Sequence, residues 1–355
     1  MKTKTPKLVL TLALLAMLAT ARGDQIFVNS DNGFAGIGSV GEYNLDGTVV
    51  NTQLIPYGDL YLPQQMAVSG TNLFIAEAGE NSIDEYTTSG TLVQSSLITG
   101  LNGPSYIVVS GTNLFVANTG SGTIAEYTTS GAAVNASLVS GLNSPVGLAV
   151  SGGNLFVANA GSGTIGEYTT SGAIVNTNLI TGLNTPEGLA VSGSYLFVQT
   201  AAGTANGTIG EYTTSGAIVN TNLITGLGNQ TGGSMVVDGS ELFINYRGDS
   251  YGNGSVYEFT LGTTPGTVTS TNTSFITGLY EPTGIAVAFS VPPLGIGTLG
   301  NQSVVFWPVS SANVVLQTTT NLVSPNWVTA SNGTPFNAVG FTNSSPAQFF
   351  RLQQQ

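Results

Sequence analysis

Residues 141–181 read GLNSPVGLAVSGGNLFVANAGSGTIGEYTTSGAIVNTNLIT, and nearly everything between residues 25 and 289 is a copy of this stretch. It holds four short runs, at 148–151, 154–160, 164–169 and 173–180, rich in Val, Ile, Leu, Phe, Tyr and Thr. Turn chemistry bounds each one: Ser151-Gly152-Gly153-Asn154, Gly161-Ser162-Gly163 and Ser171-Gly172. That is the punctuation of strands, not helices. In the second run Leu155 and Val157 point one way while Phe156 and Ala158 point the other. A strand is apolar on both faces only when its sheet is covered on both sides. The unit is therefore a four-stranded antiparallel sheet sandwiched between copies of itself.

The copies are marked by Glu42, Glu85, Glu126, Glu167, Glu211 and Glu258, each followed by Tyr or Phe and spaced by 43, 41, 41, 44 and 47 residues. This is the period of a propeller blade. Second-type strands begin near Gln25, Asn72, Asn113, Asn154, Tyr195 and Glu241, and first-type strands fall at 66–69, 107–110, 148–151, 189–192, 235–238 and 285–288. The region opens on a second-type strand and closes on a first-type strand. These two orphans complete one mixed blade, so the sequence predicts an all-β, six-bladed β-propeller closed on itself without an exposed edge. A β-helix of two coils per period is the other architecture considered; it has no use for complementary orphans and would need capping segments that are absent.

At the start of the chain Lys2, Lys4 and Lys7 precede the apolar run 8–19, and Ala19-Thr20-Ala21 offers a small-residue cleavage pattern. Residues 1–21 read as a secretory signal peptide, which gives a secreted, periplasmic or cell-surface address without membrane insertion. Its removal takes three of the six basic residues and moves the net charge from -12 to about -15. So acidic a surface disfavours nucleic acid and anionic lipid as partners. Cysteine is absent, which excludes disulfides and thiolate metal sites; a closed ring of this size buries enough core to need neither.

The pattern Pro145-x-Gly147-Leu148-Ala149-Val150, Gly153-Asn154-Leu155-Phe156-Val157-Ala158-Asn159, Ile165, Tyr168 and Ser171-Gly172 resembles NHL-type propeller repeats. These belong to a broad group with the gluconolactonase and senescence-marker propellers, and the resemblance spans residues 25–289. It implies the fold and leaves the function open, because members bind RNA, bind proteins or hydrolyse lactones on one frame. Where NHL repeats commonly carry a basic residue after the second strand, this chain has Gly163-Thr164.

The propeller is expected over 22–289, followed by a stiff linker at 290–300 opened by Val291-Pro292-Pro293 and a C-terminal β-module at 301–355. Trp307-Pro308, the run 316–322 and the close 349–352 are similar to tails of secreted bacterial proteins. That implies attachment or sorting; a small sandwich is the other reading.

Positions alike in every blade belong to the frame. The repeated glutamates read as a solvated or hydrogen-bonded ring, and Tyr43, Tyr86, Tyr127, Tyr168, Tyr212 and Phe259 as packing between blades. Departures gather in the loops after second strands and before first strands, which share one rim. They include Asp31, Asp59, Tyr61, Glu77, Glu80, Glu187, Tyr246, Arg247, Asp249 and Glu281. Carboxylates, amides and tyrosines suit a carbohydrate, peptide or surface-protein partner, and the expectation is a non-catalytic recognition propeller that requires no cofactor. The alternative is a calcium-dependent lactonase-type hydrolase, with Glu187, Asn118, Asn159 and Glu77 as an oxygen cage near the axis and Asp31 or Asp249 as base. Without His, Cys or mature Lys, only a carboxylate or metal-bound water could act as base. Arg247-Gly248-Asp249 also spells an adhesive tripeptide, a match that chance readily supplies.

Overall fold

A computed structural model describes residues 24–31, 36–201, 207–227, 231–248 and 252–288, together with six strands between 295 and 354. The expected signal peptide lies outside the described residues. Every described element is a β-strand.

Five blades are continuous in sequence. Their inner strands are Pro63–Ser69 (blade 1), Pro104–Ser110 (blade 2), Pro145–Ser151 (blade 3), Pro186–Ser192 (blade 4) and Thr231–Asp238 (blade 5). Each inner strand leads outward through three antiparallel partners. The sixth sheet is the mixed blade: Pro282–Ala288 is its inner strand and pairs with Gln25–Asp31, followed by Ile37–Asn44 and Val49–Tyr61. Neighbouring inner strands touch around the whole circle, with Pro282–Ala288 between blades 5 and 1. The ring is closed as its orphan strands require.

The two apolar faces of each second strand explain the stacking. Phe27 packs against Leu73 and Ile75 of blade 1, and Phe74 against Leu114 and Val116 of blade 2. Phe115 meets Leu155 and Val157, Phe156 meets Leu196 and Val198, and Phe197 meets Leu242 and Ile244. Phe thus faces forward to the next blade while Leu faces back to the previous one. Truncating one such Phe to Ala would cost about 3–5 kcal/mol.

The repeated aromatic residues Tyr43, Tyr86, Tyr127, Tyr168, Tyr212 and Phe259 are buried, as expected of inter-blade packing. The glutamate ring is hydrogen-bonded rather than solvated. Glu85, Glu126 and Glu167 accept from Asn72, Asn113 and Asn154 at 2.6, 2.7 and 2.7 Å. In blade 4, where Tyr195 replaces that Asn, Glu211 accepts from the Gly266 N–H at 2.7 Å.

The propeller, Gln25–Ala288, forms one compact unit. Beyond it, Gly295–Leu299, Gln302–Phe306 and Ala338–Thr342 form one three-stranded sheet, and Val328–Ser331, Val314–Thr319 and Phe349–Gln354 another. Gly295–Leu299 falls inside the stretch read from sequence as linker.

Candidate binding rim

Second strands end beside the start of inner strands: Glu77 pairs with Pro63, Asn118 with Pro104, Asn159 with Pro145, Thr200 with Pro186 and Tyr246 with Thr231. The two irregular loop classes therefore meet on one rim. The residue before each inner-strand proline has left-handed backbone, from Leu62 (φ 49°) and Ser144 (51°) to Thr185 (44°) and Glu281 (37°). This repeated turn belongs to the frame, and in the mixed blade it presents Glu281.

Beneath the rim the axis is filled. At the inner-strand position just before Leu148, Leu189 and Ile285, blades 3, 4 and the mixed blade carry Gly147, Gly188 and Gly284, whereas before Met66, Ile107 and Met235 blades 1, 2 and 5 carry Gln65, Tyr106 and Ser234. A Cβ on Gly147 would collide with the Glu187 carbonyl, so the small residue is required by close approach of the strands. Tyr106 is 3% exposed, and its hydroxyl lies 3.5 Å from the Leu189 carbonyl. It is also hydrogen-bonded to the Met235 backbone and the Gln65 side chain, and burial pushes its pKa far up. Ser234 donates to Gln65 Oε1 at 2.6 Å, and the Ile285 N–H reaches both at 3.0 Å. Side chains and backbone from five inner strands thus seal the centre.

Of the rim residues read from sequence, the structure brings three together across blades 4, 5 and the mixed blade. Arg247 donates to Glu281 at 2.8 Å. Desolvation raises the Glu187 pKa, and the charge of Arg247 partly offsets it. Asp31 is buried at the end of its strand, and its N–H faces the Glu281 carbonyl at 3.4 Å. Tyr246 is stacked on Tyr257, centroids 5.0 Å apart, and is a packed ring rather than a displayed one. Asp249 lies outside the described residues.

Among the described residues the displayed tyrosines are Tyr57, Tyr61 and Tyr280, at 39%, 44% and 46% exposure. Tyr57 and Tyr280 line a cleft of about 320 Å³ between the mixed blade and blade 5. Clefts of similar size between other blades make this a property of the stacking; two exposed tyrosines distinguish this one. Tyr57 and Tyr280 both lie in the irregular segments that lead into inner strands.

The four residues suggested as an axial cage lie in four different gaps. Strand alternation puts Glu77 on the face of Leu73 and Ile75, toward the mixed blade, and Asn118 on the face of Leu114 and Val116, toward blade 1. Asn159 shares the face of Leu155 and Val157, toward blade 2. Glu187 approaches Gly233 of blade 5. Asn118 Oδ1 faces the Asn102 N–H at 3.4 Å, and its carbonyl accepts from Gly122 at 3.0 Å, which closes the turn.

Glu77 is a buried and strongly perturbed acid. It is 1% exposed, and its Oε2 accepts the Tyr61 N–H at 2.8 Å. Burial, with smaller contributions from the Asp84 and Glu80 carboxylates, pushes its pKa up to about 8. Glu80 and Asp59 are exposed nearby. Asp84, 4% exposed, was not among the residues read from sequence. Its signal was available, since Ile83-Asp84-Glu85 departs from Ile124-Ala125-Glu126 and Ile165-Gly166-Glu167.

No protein-family model matches the chain, and no curated protein sequence does. Many solved structures share its fold. A chain from a nidogen/laminin complex is 16% identical, with a TM-score of 0.51 over 76% of this chain and 99% of that one. A gluconolactonase from Xanthomonas campestris is 17% identical, with a TM-score of 0.45 over 59% and 77% of the two chains. Hydrazine synthase of Kuenenia stuttgartiensis gives 15% and 0.46 over 70% and 74%. At these identities the likeness is one of fold. The protein is a six-bladed β-propeller whose structural neighbours include chains of binding and of lactonase type.

Proposed function

We propose that the protein is an exported recognition propeller that binds a carbohydrate, peptide or surface protein with the rim bearing Tyr61, Glu80, Glu187, Arg247, Tyr280 and Glu281. The observation that carries this reading is the contrast between a sealed axis and a differentiated rim. Tyr106, Gln65 and Ser234 fill the centre where a deep reaction pocket would sit. Above them, exposed tyrosines stand among carboxylates and one ion pair. Aromatic faces supply large contact area while flanking polar groups fix orientation. The neighbour from a nidogen/laminin complex is a precedent for a protein partner on such a frame.

Protein and glycan arrays probed with the mature chain test this directly. A Tyr57→Ala/Tyr280→Ala variant and an Arg247→Ala variant are each expected to lose at least about tenfold in affinity. Ile174→Thr, at the far end of blade 3 and 69% exposed in the native chain, should bind as the wild type does. Indifference of both rim variants, or turnover of lactones abolished by Glu187→Gln, would overturn the reading.

A further inference from the structure

We propose that the gap between blade 1 and the mixed blade is a cation site, formed by Glu77, Asp84 and Ser82 and suited to calcium. This is independent of the rim's partner. Glu77 lies opposite Ser82, and Ile75 opposite Asp84, in the pairing of Asn72–Glu77 with Ser82–Thr87. Because side chains alternate along a strand, all three project from the face on which Leu73 and Ile75 meet the mixed blade. They are 1%, 4% and 1% exposed.

Each carboxylate already accepts one backbone N–H, Glu77 from Tyr61 at 2.8 Å and Asp84 from Ser96 at 2.6 Å. The remaining Glu77 oxygen, Oε1, is buried without a hydrogen-bond partner, and so is the Ser82 hydroxyl oxygen. A buried unpaired charge is strongly unfavourable, and among the described residues of the propeller no cation answers these: its basic residue, Arg247, is paired with Glu281 in other blades. The acids Glu80 and Asp59 and the hydroxyl of Tyr86 also face this region. They make it more negative, not less.

A proton bridging Glu77 and Asp84 would cancel one charge and leave the other, with Ser82 still unsatisfied. A hard cation answers both carboxylates and the hydroxyl at once, which is the ligand chemistry of calcium, with water completing its shell. Among the described residues no three His, Cys, Asp or Glu side chains converge, so the hydroxyl is the third protein ligand. The repeat shows that the two acids form a unit. The positions equivalent to Glu77 and Asp84 are Asn118 with Ala125, Asn159 with Gly166 and Thr200 with Gly210. Only blade 5 enlarges both together, as the Tyr246–Tyr257 stack that fills the space with rings. Blade 1 puts two carboxylates there, with the ring of Tyr61 close to Gly79 above them.

The test is titration of calcium chloride into the chelator-treated full chain at pH 8, by calorimetry and by thermal melting. Saturable binding with a raised Tm is expected. Glu77→Asn installs the residue of blades 2 and 3, and Asp84→Ala/Gln94→Asn installs the pair that blade 2 has at the neighbouring bulge, Ala125 with Asn135, so both variants copy sequences that fold. Each should weaken calcium binding at least about tenfold while melting cooperatively at pH 5.5. Absence of saturable heat at millimolar calcium would overturn the proposal. So would unchanged affinity in both variants, which would put the ion elsewhere, or variants more stable than a calcium-indifferent wild type at pH 8, which would identify a shared proton as the occupant.

Discussion

At Glu77 the chain buries a carboxylate where sister blades place Asn118 and Asn159. Burial first, then the neighbouring acids, lift its pKa from 4.5 to about 8. The folded protein therefore retains a proton across this window that the unfolded chain releases, so Glu77 contributes stability below about pH 4.5 that is lost as pH rises through 8. Raised pKa values at Glu85, Glu167, Glu187, Glu211 and Glu258 act with the same sign. In the presence of chelator, urea midpoints should fall between pH 5.5 and 8.5, and Glu77→Asn should make that fall clearly smaller. An equal fall in the variant would show that Glu77 is not the group responsible. Glu77 is visible in the sequence as a loop departure and Asp84 as a mid-strand one, but their pairing is not. Asp84 sits mid-strand beside a repeated glutamate, and only the strand register reveals that both carboxylates share a face.

The outer strands show how one element compensates for a changed residue. Each carries a bulge where it leaves its neighbour. In all five sister sheets an Asn two residues earlier accepts the bulge N–H: Asn51 from Gln53, Asn135 from Ser137, Asn176 from Asn178, Asn220 from Asn222 and Asn272 from Ser274, at 3.0, 3.1, 3.0, 3.0 and 3.1 Å. Blade 1 has Gln94 at that position, one methylene longer, and Asp84 takes the Ser96 N–H from the adjacent strand instead. Ser96 adopts φ 50°, a left-handed backbone no sister residue shows. With Glu77 already changed to Asn, Asp84→Ala should cost about 1–2 kcal/mol in urea unfolding through the orphaned N–H. Adding Gln94→Asn should restore most of it; additive losses would show that the two positions are not linked. The four-strand unit, its order and its mixed closure were legible because the apolar alternation repeats. This exchange was not, because it couples residues on two strands through geometry that spacing does not reveal.

For the molecule as a whole, the same repetition that fixes the ring hides its use. Residues 164–183 recur verbatim at 208–227, and such surfaces cannot distinguish one partner from another. Individuality enters at two levels: at the inner-strand position just before Met66, Ile107 and Met235, where Gln65, Tyr106 and Ser234 close the axis, and on the rim above. The sequence exposes both as departures from Pro-x-Gly, yet Tyr106 reads there as an ordinary strand tyrosine. Its reach to the backbone of Leu189 and Met235 depends on six strands converging. Conversely Tyr246, conspicuous in the sequence, is absorbed into a stack.

The most direct measurement is amide hydrogen exchange on the protein, free and bound to the partner that the arrays select. Protection is expected on rim segments, at 57–65, 77–82, 185–188 and 278–284, with little change at the Thr-Ser-Gly turns of the opposite end. Protection concentrated on those turns, with an unaltered rim, would contradict recognition through this face.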